Sequence, residues 1–372
     1  MATMTEVAEA AGCSTTTVSH VLNGTRTVAA ETRRRVERAM AQLGYRRRVT
    51  RPGRAPKNLS AVGLTLPGVS NPYFSELVQG VERELARAGR VLVQAETHDD
   101  PETERRAVAS LLTHRVDALI MAPSIGWAER TWPLLVDRRV SFVLVDRLVQ
   151  GEVDQIAVEN EPGAKVLVEH LLALGHRRVA MITGLPGLST TLERELGYRR
   201  AHARRGVRVD PALMECGASG VDGGRRAMLR LLDRTEPPTA VFTSNNAMTV
   251  GAMTALAERR VQVPQDVALV GFDDFEWSGL LQPALTTAAQ PCHAIGARAV
   301  QLLLSRLANP NQPARTLRVP ASIEHRDSCG CERATSQDAS APDTASAAAK
   351  VVRPRPSAAV RVAGPIAIAS VG

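Results

Sequence analysis

"GCSTTTVSHVLNG", residues 12–24, begins and ends on glycine and reads as one short helix whose exposed start is packed with hydroxyls. Ser and Thr are mediocre helix formers, because their hydroxyls compete for the backbone. Ser14 suits a capping position, but helix stability does not explain the choice of Thr15, Thr16, Thr17 and Ser19. Val18, Val21 and Leu22 supply a buried stripe, which puts Thr15, Thr16, Ser19 and His20 on or beside the exposed face and the N-terminal end. Upstream, Thr3-x-x-Glu6 is a capping-box pattern that opens a helix over Thr5–Ala11, and Gly12 ends it. Downstream, Val36, Ala39, Met40 and Leu43 recur at helical spacing before Gly44. Two short helices joined by a tight Gly-containing turn make a helix-turn-helix. In such a unit the second helix enters the major groove of DNA. Short polar side chains there reach base edges and phosphates and let the backbone come close.

Charge supports that reading. Residues 1–60 hold eleven Lys/Arg against four Asp/Glu, a net of +7 in a chain whose total is +8. The last 41 residues carry +2, so the 271 between them sum to −1. A basic module on a near-neutral body predicts a polyanionic partner for that module.

From residue 61 short apolar runs alternate with amphipathic stretches. "AVGLTLP" (61–67), "RVLVQAE" (90–96), "DALIMAP" (117–123), "SFVLVD" (141–146), "RVAMITG" (178–184), "AVFTSN" (240–245) and "VALVGFDD" (267–274) read as buried strands with helices between them. This alternation predicts parallel sheets covered on both faces. About 270 residues is large for one such sheet, so the expected fold is an all-α helix-turn-helix headpiece followed by two doubly wound α/β subdomains with a cleft between them. The expected domains are a headpiece over 1–45, an Arg-rich hinge over 46–60, a core over 61–331 and an Ala/Ser/Pro-rich disordered tail over 332–372. No run of apolar residues is long enough to span a membrane, and the N-terminus carries acids where a secretory signal would carry Lys or Arg, which predicts a cytoplasmic protein. The five cysteines, odd in number and scattered, fit free thiols. Cys329-Gly-Cys331 is a tight pair, but a lone CxC lacks partner ligands for a metal, and the eight histidines are dispersed. No nucleophilic triad, HExxH or phosphate-binding loop is present, so neither an enzyme, a metal site nor a cofactor is expected. A solute-binding module of a transport system would share the clefted core but has no use for a basic headpiece.

The sequence resembles the lactose-repressor (LacI/GalR) family. The resemblance runs through "TMTEVAEAAGCSTTTVSHVLNG" and "ETRRRVERAMAQLGY", then "VGLTLPGVSNPYFSELVQGVE", "HLLALGHRRVAMITG" and "VPQDVALVGFDD", collinearly over residues 3–326. It implies a homodimer that reads a pseudo-palindromic operator, with a periplasmic-binding-protein-like core that senses a small molecule. The DNA-contacting set is then Thr5, Ser14, Thr15, Thr16, Thr17, Ser19, His20 and Asn23, with Arg46, Arg51 and Arg54 of the hinge. Three departures stand out. His20 replaces the Arg usual after the Val-Ser pair, and Ala29 replaces the Ser that commonly caps the third helix, a loss of about 1 kcal/mol. Where the family has a Pro-Asn and a short helix bearing a Leu wedge, this chain has "RRRVTRPGRAPKN", with Arg54 near the Leu position. That stretch reads as an extended arm for phosphates or a narrow minor groove.

In open α/β sheets ligands bind beyond the carboxyl ends of the strands. Reading those ends gives Asn71, Tyr73 and Phe74 after the first strand, Asp146 after "FVLVD", Arg194 beyond the Gly/Ser/Thr loop, Asn245 after "AVFTS" and Asp273 after "VALVGF". Carboxylates, amides and an Arg can make paired hydrogen bonds to sugar hydroxyls or a ligand carboxylate. By resemblance, Phe74, Arg194, Asn245 and Asp273 match positions that contact effector. A sugar or sugar derivative is the expected class, with a nucleobase the alternative. Trp127 and Trp277 read as core.

Overall fold

The computed structural model describes residues 4–23, 28–43, 61–331 and 350–351, so the hinge, including Arg46, Arg51 and Arg54, lies outside the described residues. The chain divides into two compact units, Met1–Leu59 and Ser60–Gly372.

In the first unit α1 (Met4–Ala10), α2 (Thr15–Asn23) and α3 (Ala30–Gln42) pack around Val7, Ala8, Ala11, Val18, Val36 and Ala39, with Val21 and Met40 at the margin. Gly12 reverses the chain between α1 and α2 at φ +60, a region glycine enters without penalty. Arg35, from α3, donates to Ala11 O from Nε (3.1 Å) and Nη2 (2.5 Å), and from Nη2 to Gly12 O (2.8 Å). These bonds satisfy carbonyls that the end of α1 leaves open. A Cβ on Gly12 would lie 2.7 Å from Arg35 Nη2, so the turn and its clamp require each other. Leu43, expected in the apolar stripe of α3, falls past the helix end and is 40% exposed.

The second unit runs β1 (Ala61–Leu66), α4 (Pro72–Arg87), β2 (Val91–Glu96), α5 (Pro101–Thr113), β3 (Val116–Met121), α6 (Trp127–Arg130), α7 (Trp132–Asp137), β4 (Ser141–Val145) and β5 (Gln155–Val158). It continues through α8 (Asn160–Ala173), β6 (Val179–Thr183), α9 (Ser189–Arg204), β7 (Met214–Cys216), α10 (Val221–Leu232), β8 (Ala240–Thr243), α11 (Asn246–Glu258), β9 (Ala268–Phe272) and β10 (Thr286–Ala289). Then come α12 (Cys292–Ala308), β11 (Thr316–Val319), β12 (Ser322–Glu324) and β13 (Lys350–Val351). One sheet has the order β2-β1-β3-β4-β5-β11-β13, parallel except for β13; the other is β7-β6-β8-β9-β10-β12, parallel except for β12. The two lobes thus share a strand order, and the chain passes between them three times, before α8, before α12 and between β11 and β12.

Two expectations change. "RVLVQAE" forms an edge strand, not a buried one: Val91 and Val93 of β2 stay exposed because only β1 flanks them. Within the stretch read as a disordered tail, Lys350 and Val351 pair with Arg318 and Leu317 at the margin of the first sheet.

Helix α12, late in the chain, lies against α4 of the first lobe, and both carry glycine where they cross. A Cβ on Gly80 would lie 2.4 Å from His293 O, and one on Gly296 would lie 2.4 Å from Leu77 O. Backbone cannot yield as a flexible side chain does, so the helices would have to separate. Gly296→Ala is expected to lower stability by about 2 kcal/mol or more in urea unfolding, whereas the solvent-facing Gly89→Asn, at φ +67, is expected to change it little.

Candidate functional site

Between the lobes lies a cavity of about 410 Å³ whose walls come from strand ends on both sides. All seven residues expected there line it: Asn71, Tyr73, Phe74, Asp146, Arg194, Asn245 and Asp273. The parallel strands bring them together, because every parallel strand of a lobe delivers its carboxyl end to the same edge.

Their roles differ. Asn71 and Asn245 are helix caps first: Asn71 Oδ1 accepts from Tyr73 N (3.0 Å) at the start of α4, and Asn245 Oδ1 accepts from Met248 N (2.8 Å) at the start of α11. Asn245 Nδ2 also donates to Ser219 O (3.0 Å). Asn71 Oδ1 takes a second bond from Asn246 Nδ2 (2.8 Å), which ties the two lobes across the cleft. Tyr73 and Phe74 are buried and meet edge to face, with centroids 4.9 Å apart.

Arg194 is 5% exposed, lines the cavity and is held by several neighbours. Its Nε donates to Asn160 Oδ1 (2.9 Å) and its Nη1 to Ser244 O (2.5 Å), while its guanidinium lies 3.8 Å over the Phe272 ring. Nη2 reaches Asp273 Oδ1 at 3.5 Å, and Gln290 Nε2 donates to that same oxygen at 2.5 Å. In the facing lobe Arg147, which follows Asp146 at the same strand end, plays a matching part. It is 6% exposed, donates to Asp99 and, at 3.1 Å, to Pro123 O, and its Nε lies 3.5 Å from Asp146 Oδ2. Thr190 and Thr191, at the start of α9, and Ser70 also line the cavity. Their hydroxyls sit beyond strand ends already singled out, which is the only signal that marked them.

Burial pushes the Asp146 carboxyl above its ordinary value, against the pull of Arg147 and Arg194. Burial, with Asp146 close by, likewise raises the Tyr73 phenol well above its own. Ser244 Oγ is buried with no hydrogen-bond partner, Tyr73 Oη and Arg147 Nε have only the Asp146 carboxylate to turn to, and all three belong to cavity-lining residues. Under-satisfied polar atoms around one cavity mark it for a polar ligand. Strain collects there as well: of nine non-glycine residues with left-handed φ among the described residues, His98, Asp99, Asp146, Ser219 and Asp273 line it.

Asp274, next to Asp273, serves a different purpose. Arg326 grips it through Nη1 to Oδ1 and Nη2 to Oδ2, both 2.8 Å, and Ser278 and Thr287 hydroxyls donate to Oδ1. Trp277 is 42% exposed and packs on Phe275, so it is not core, whereas Trp127 is buried against Trp132 and Phe142.

In the headpiece unit Thr5, Ser14, Thr15 and Thr16 are exposed, and Thr17 and His20 are half-buried. Ser14 Oγ accepts from Thr17 N (3.1 Å) and pairs with the Thr17 hydroxyl (2.8 Å), so these two secure the start of α2. The backbones of Ser19 and Asn23 lie in α2, but their side chains lie outside the described residues. What remains open is a threonine-rich helix start of the kind that fits a groove.

A helix-turn-helix followed in sequence by a clefted, two-lobed α/β unit defines a ligand-responsive DNA-binding regulator. Residues 3–48 match the bacterial regulatory proteins of the lacI family, and residues 168–329 match the periplasmic binding protein-like domain. The ribose operon repressor of Escherichia coli (strain K12) is 34% identical over 334 residues, covering 88% of this chain and 100% of that one. Among solved structures, a transcriptional regulator CelR–cellobiose complex is 28% identical, with a TM-score of 0.67 over 88% of this chain and 100% of that one. The lac repressor dimer bound to operator and the anti-inducer ONPF is also 28% identical, with a TM-score of 0.67 over 88% and 99%. The chain belongs to the lacI family and is a DNA-binding transcriptional regulator, not an enzyme.

The Asp274–Arg326 pair yields a pH test. Partial burial would raise the Asp274 carboxyl, but the bonds from Arg326, Ser278 and Thr287 outweigh it and hold the group below its ordinary value. A depressed folded-state pKa stabilises above the unfolded value, near pH 4, and that contribution is lost as pH falls through the folded value. Asp274→Asn is therefore expected to lower stability by about 2 kcal/mol at pH 7. The gap to the parent should close progressively below pH 4 in thermal melts.

Proposed function

We propose that this regulator is a homodimeric repressor. In this reading α2 of each headpiece reads one half of a pseudo-palindromic operator, and a sugar in the interlobe cavity controls its affinity. The proposed division of labour is a headpiece over residues 1–45, an Arg-rich arm over 46–60, a sensing and dimerising core over 61–331, and a tail beyond it. The cavity carries the reading. Carboxylates (Asp146, Asp273 and Asp99), guanidiniums (Arg147 and Arg194) and hydroxyls (Thr190 and Thr191) surround an aromatic pair. Groups of both charge signs around an uncharged, hydroxyl-rich ligand let each sugar oxygen donate to a carboxylate and accept from a guanidinium. The relatives point the same way, since one is named for a ribose operon and another holds cellobiose.

The mechanism is a population shift. A sugar that binds the closed cleft more tightly than the open one draws the lobes together and biases the protein toward one state of the headpieces. Its leverage equals its differential affinity for the two states.

Selection of bound DNA from a random pool by the full chain, repeated across a salt series, tests the DNA half of this reading. The expected product is a pseudo-palindrome with half-sites about one or more helical turns apart, with affinity falling log-linearly with salt. Recovery of no motif, with affinity that simply collapses as salt rises, would overturn sequence-specific repression.

Calorimetric titration with ribose, other pentoses, hexoses and cellobiose tests the sensing half. Ionised Asp146 accepts from a hydroxyl more strongly than the neutral acid does, and its carboxyl is raised. Sugar affinity should thus decline on acidification at a higher pH than an ordinary carboxylate would give. Asp146→Asn should bind about 10- to 100-fold more weakly and lose that pH dependence. A panel with no binder would sink the sugar assignment.

A further inference from the structure

The Cys-Gly-Cys pair, which has no partner ligands within its own stretch of sequence, acquires them in the fold. His170 sits in the last turn of α8, and His325 directly follows β12. Cys329 ends a 3₁₀ turn over Asp327–Cys329, and Cys331 closes the described core. One ligand atom from each of these four residues lies within 4.8 Å of all the others. The two sulfurs are 3.1 Å apart, and the two imidazoles meet with centroids 4.6 Å apart. His170 Nε2 is buried with no hydrogen-bond partner, which is costly for an imidazole nitrogen and marks a position awaiting a donor or a Lewis acid. Gly330, at φ +77, supplies the left-handed link that folds the two cysteines onto one side of the chain.

We propose that His170, His325, Cys329 and Cys331 form a structural zinc site. Two thiolates and two neutral imidazoles are the donor set that tetrahedral Zn²⁺ selects, and the pair of thiolates neutralises the ion. With Zn–S near 2.3 Å and Zn–N near 2.0 Å, a tetrahedron spaces its sulfurs about 3.8 Å apart and its nitrogens about 3.3 Å. The sulfurs therefore open by well under 1 Å, and the remaining ligand atoms close in by no more than about 1.5 Å. Four protein ligands leave no coordination position for substrate, so the role is to hold the fold. His325 is exposed and gives the ion a way in, while Cys329 is 1% exposed and shields it. The ion would fasten the last turn of α8 to the end of the core, at the opposite end of that helix from Asn160 and the ligand cavity. A Cys329–Cys331 disulfide is the competing use of these sulfurs, but it would leave both imidazoles without a function and His170 Nε2 unmet.

The test uses the full chain, reduced and stripped with a chelator, then titrated with Zn²⁺ against a chromophoric competitor and with Co²⁺ as a spectroscopic substitute. The expected result is one Zn²⁺ per chain and a Co²⁺ spectrum with intense visible tetrahedral bands and a near-ultraviolet thiolate charge-transfer band. Zinc should also raise the melting temperature. Cys329→Ser combined with Cys331→Ser should abolish the spectrum and the thermal shift. His325→Ala, at an exposed position where folding is not at stake, should weaken Zn²⁺ binding by at least about 100-fold. Failure of the reduced chain to bind either metal stoichiometrically would overturn the proposal. So would a His325→Ala chain that binds like the parent, or a chain whose unreduced mass shows a disulfide and which takes up no metal once reduced.

Discussion

A guanidinium held out of water organises the second unit. Removing a charge from solvent costs several kcal/mol unless other groups satisfy it, and Arg194 is satisfied by three separate pieces of chain. Asn160 comes from the first turn of α8, Ser244 O from the end of β8, Asp273 from the end of β9 and the Phe272 ring from β9 itself. Helix α8 starts where the chain first leaves one lobe for the other, so the cation fixes that crossing and the strand ends together. It also helps to hold Asp273 in a left-handed conformation, with Gln290 anchoring the same carboxylate oxygen. Arg147 repeats the device in the other lobe, where it ties Asp99, the Pro123 carbonyl and left-handed Asp146.

That repetition follows from topology. Strand orders β2-β1-β3-β4-β5 and β7-β6-β8-β9-β10 coincide, so Asp146 after β4 and Asp273 after β9 occupy equivalent places. The equivalence ends at the sixth strand, since β11 runs parallel to β5 in one sheet and β12 antiparallel to β10 in the other. The chain can then return to the second lobe within three residues, from Val319 to Ser322, without a covering helix.

Much of this was readable from the residues alone, and the physical reasons are specific. Buried parallel strands announce themselves as apolar runs, and each run has one carboxyl end, so residues as far apart as Asn71 and Asp273 could be assigned to one cleft. The headpiece was readable because Gly12 and Ser14 punctuate it so closely. Strands of three or four residues, such as β7, β11 and β12, are too short to show a period. Thr190 and Thr191 are ordinary loop-and-cap residues until the loop is folded. Only the fold shows that Asp274 turns to Arg326 while Asp273 turns to the cavity. The His170 and Cys329 side chains lie more than 150 residues apart in sequence, and no spacing rule relates a helix end to a turn that returns from a different lobe.

The glycine-mediated contact between α4 and α12 has a consequence for synthesis. Helix α4 is complete by Arg87, but the helix that covers it begins only at Cys292. At ribosomal speeds of about 5–20 residues per second, the apolar flank of α4 is made roughly 10–40 s before its cover exists. The first lobe also needs β11 and β13 to complete its sheet. The lobe that starts first therefore finishes last, and the second lobe is largely made while its neighbour is still open. A nascent chain of this kind carries an exposed, sticky half for most of its elongation. Its yield in the cell should depend more on how that half is chaperoned than on the stability of the finished protein.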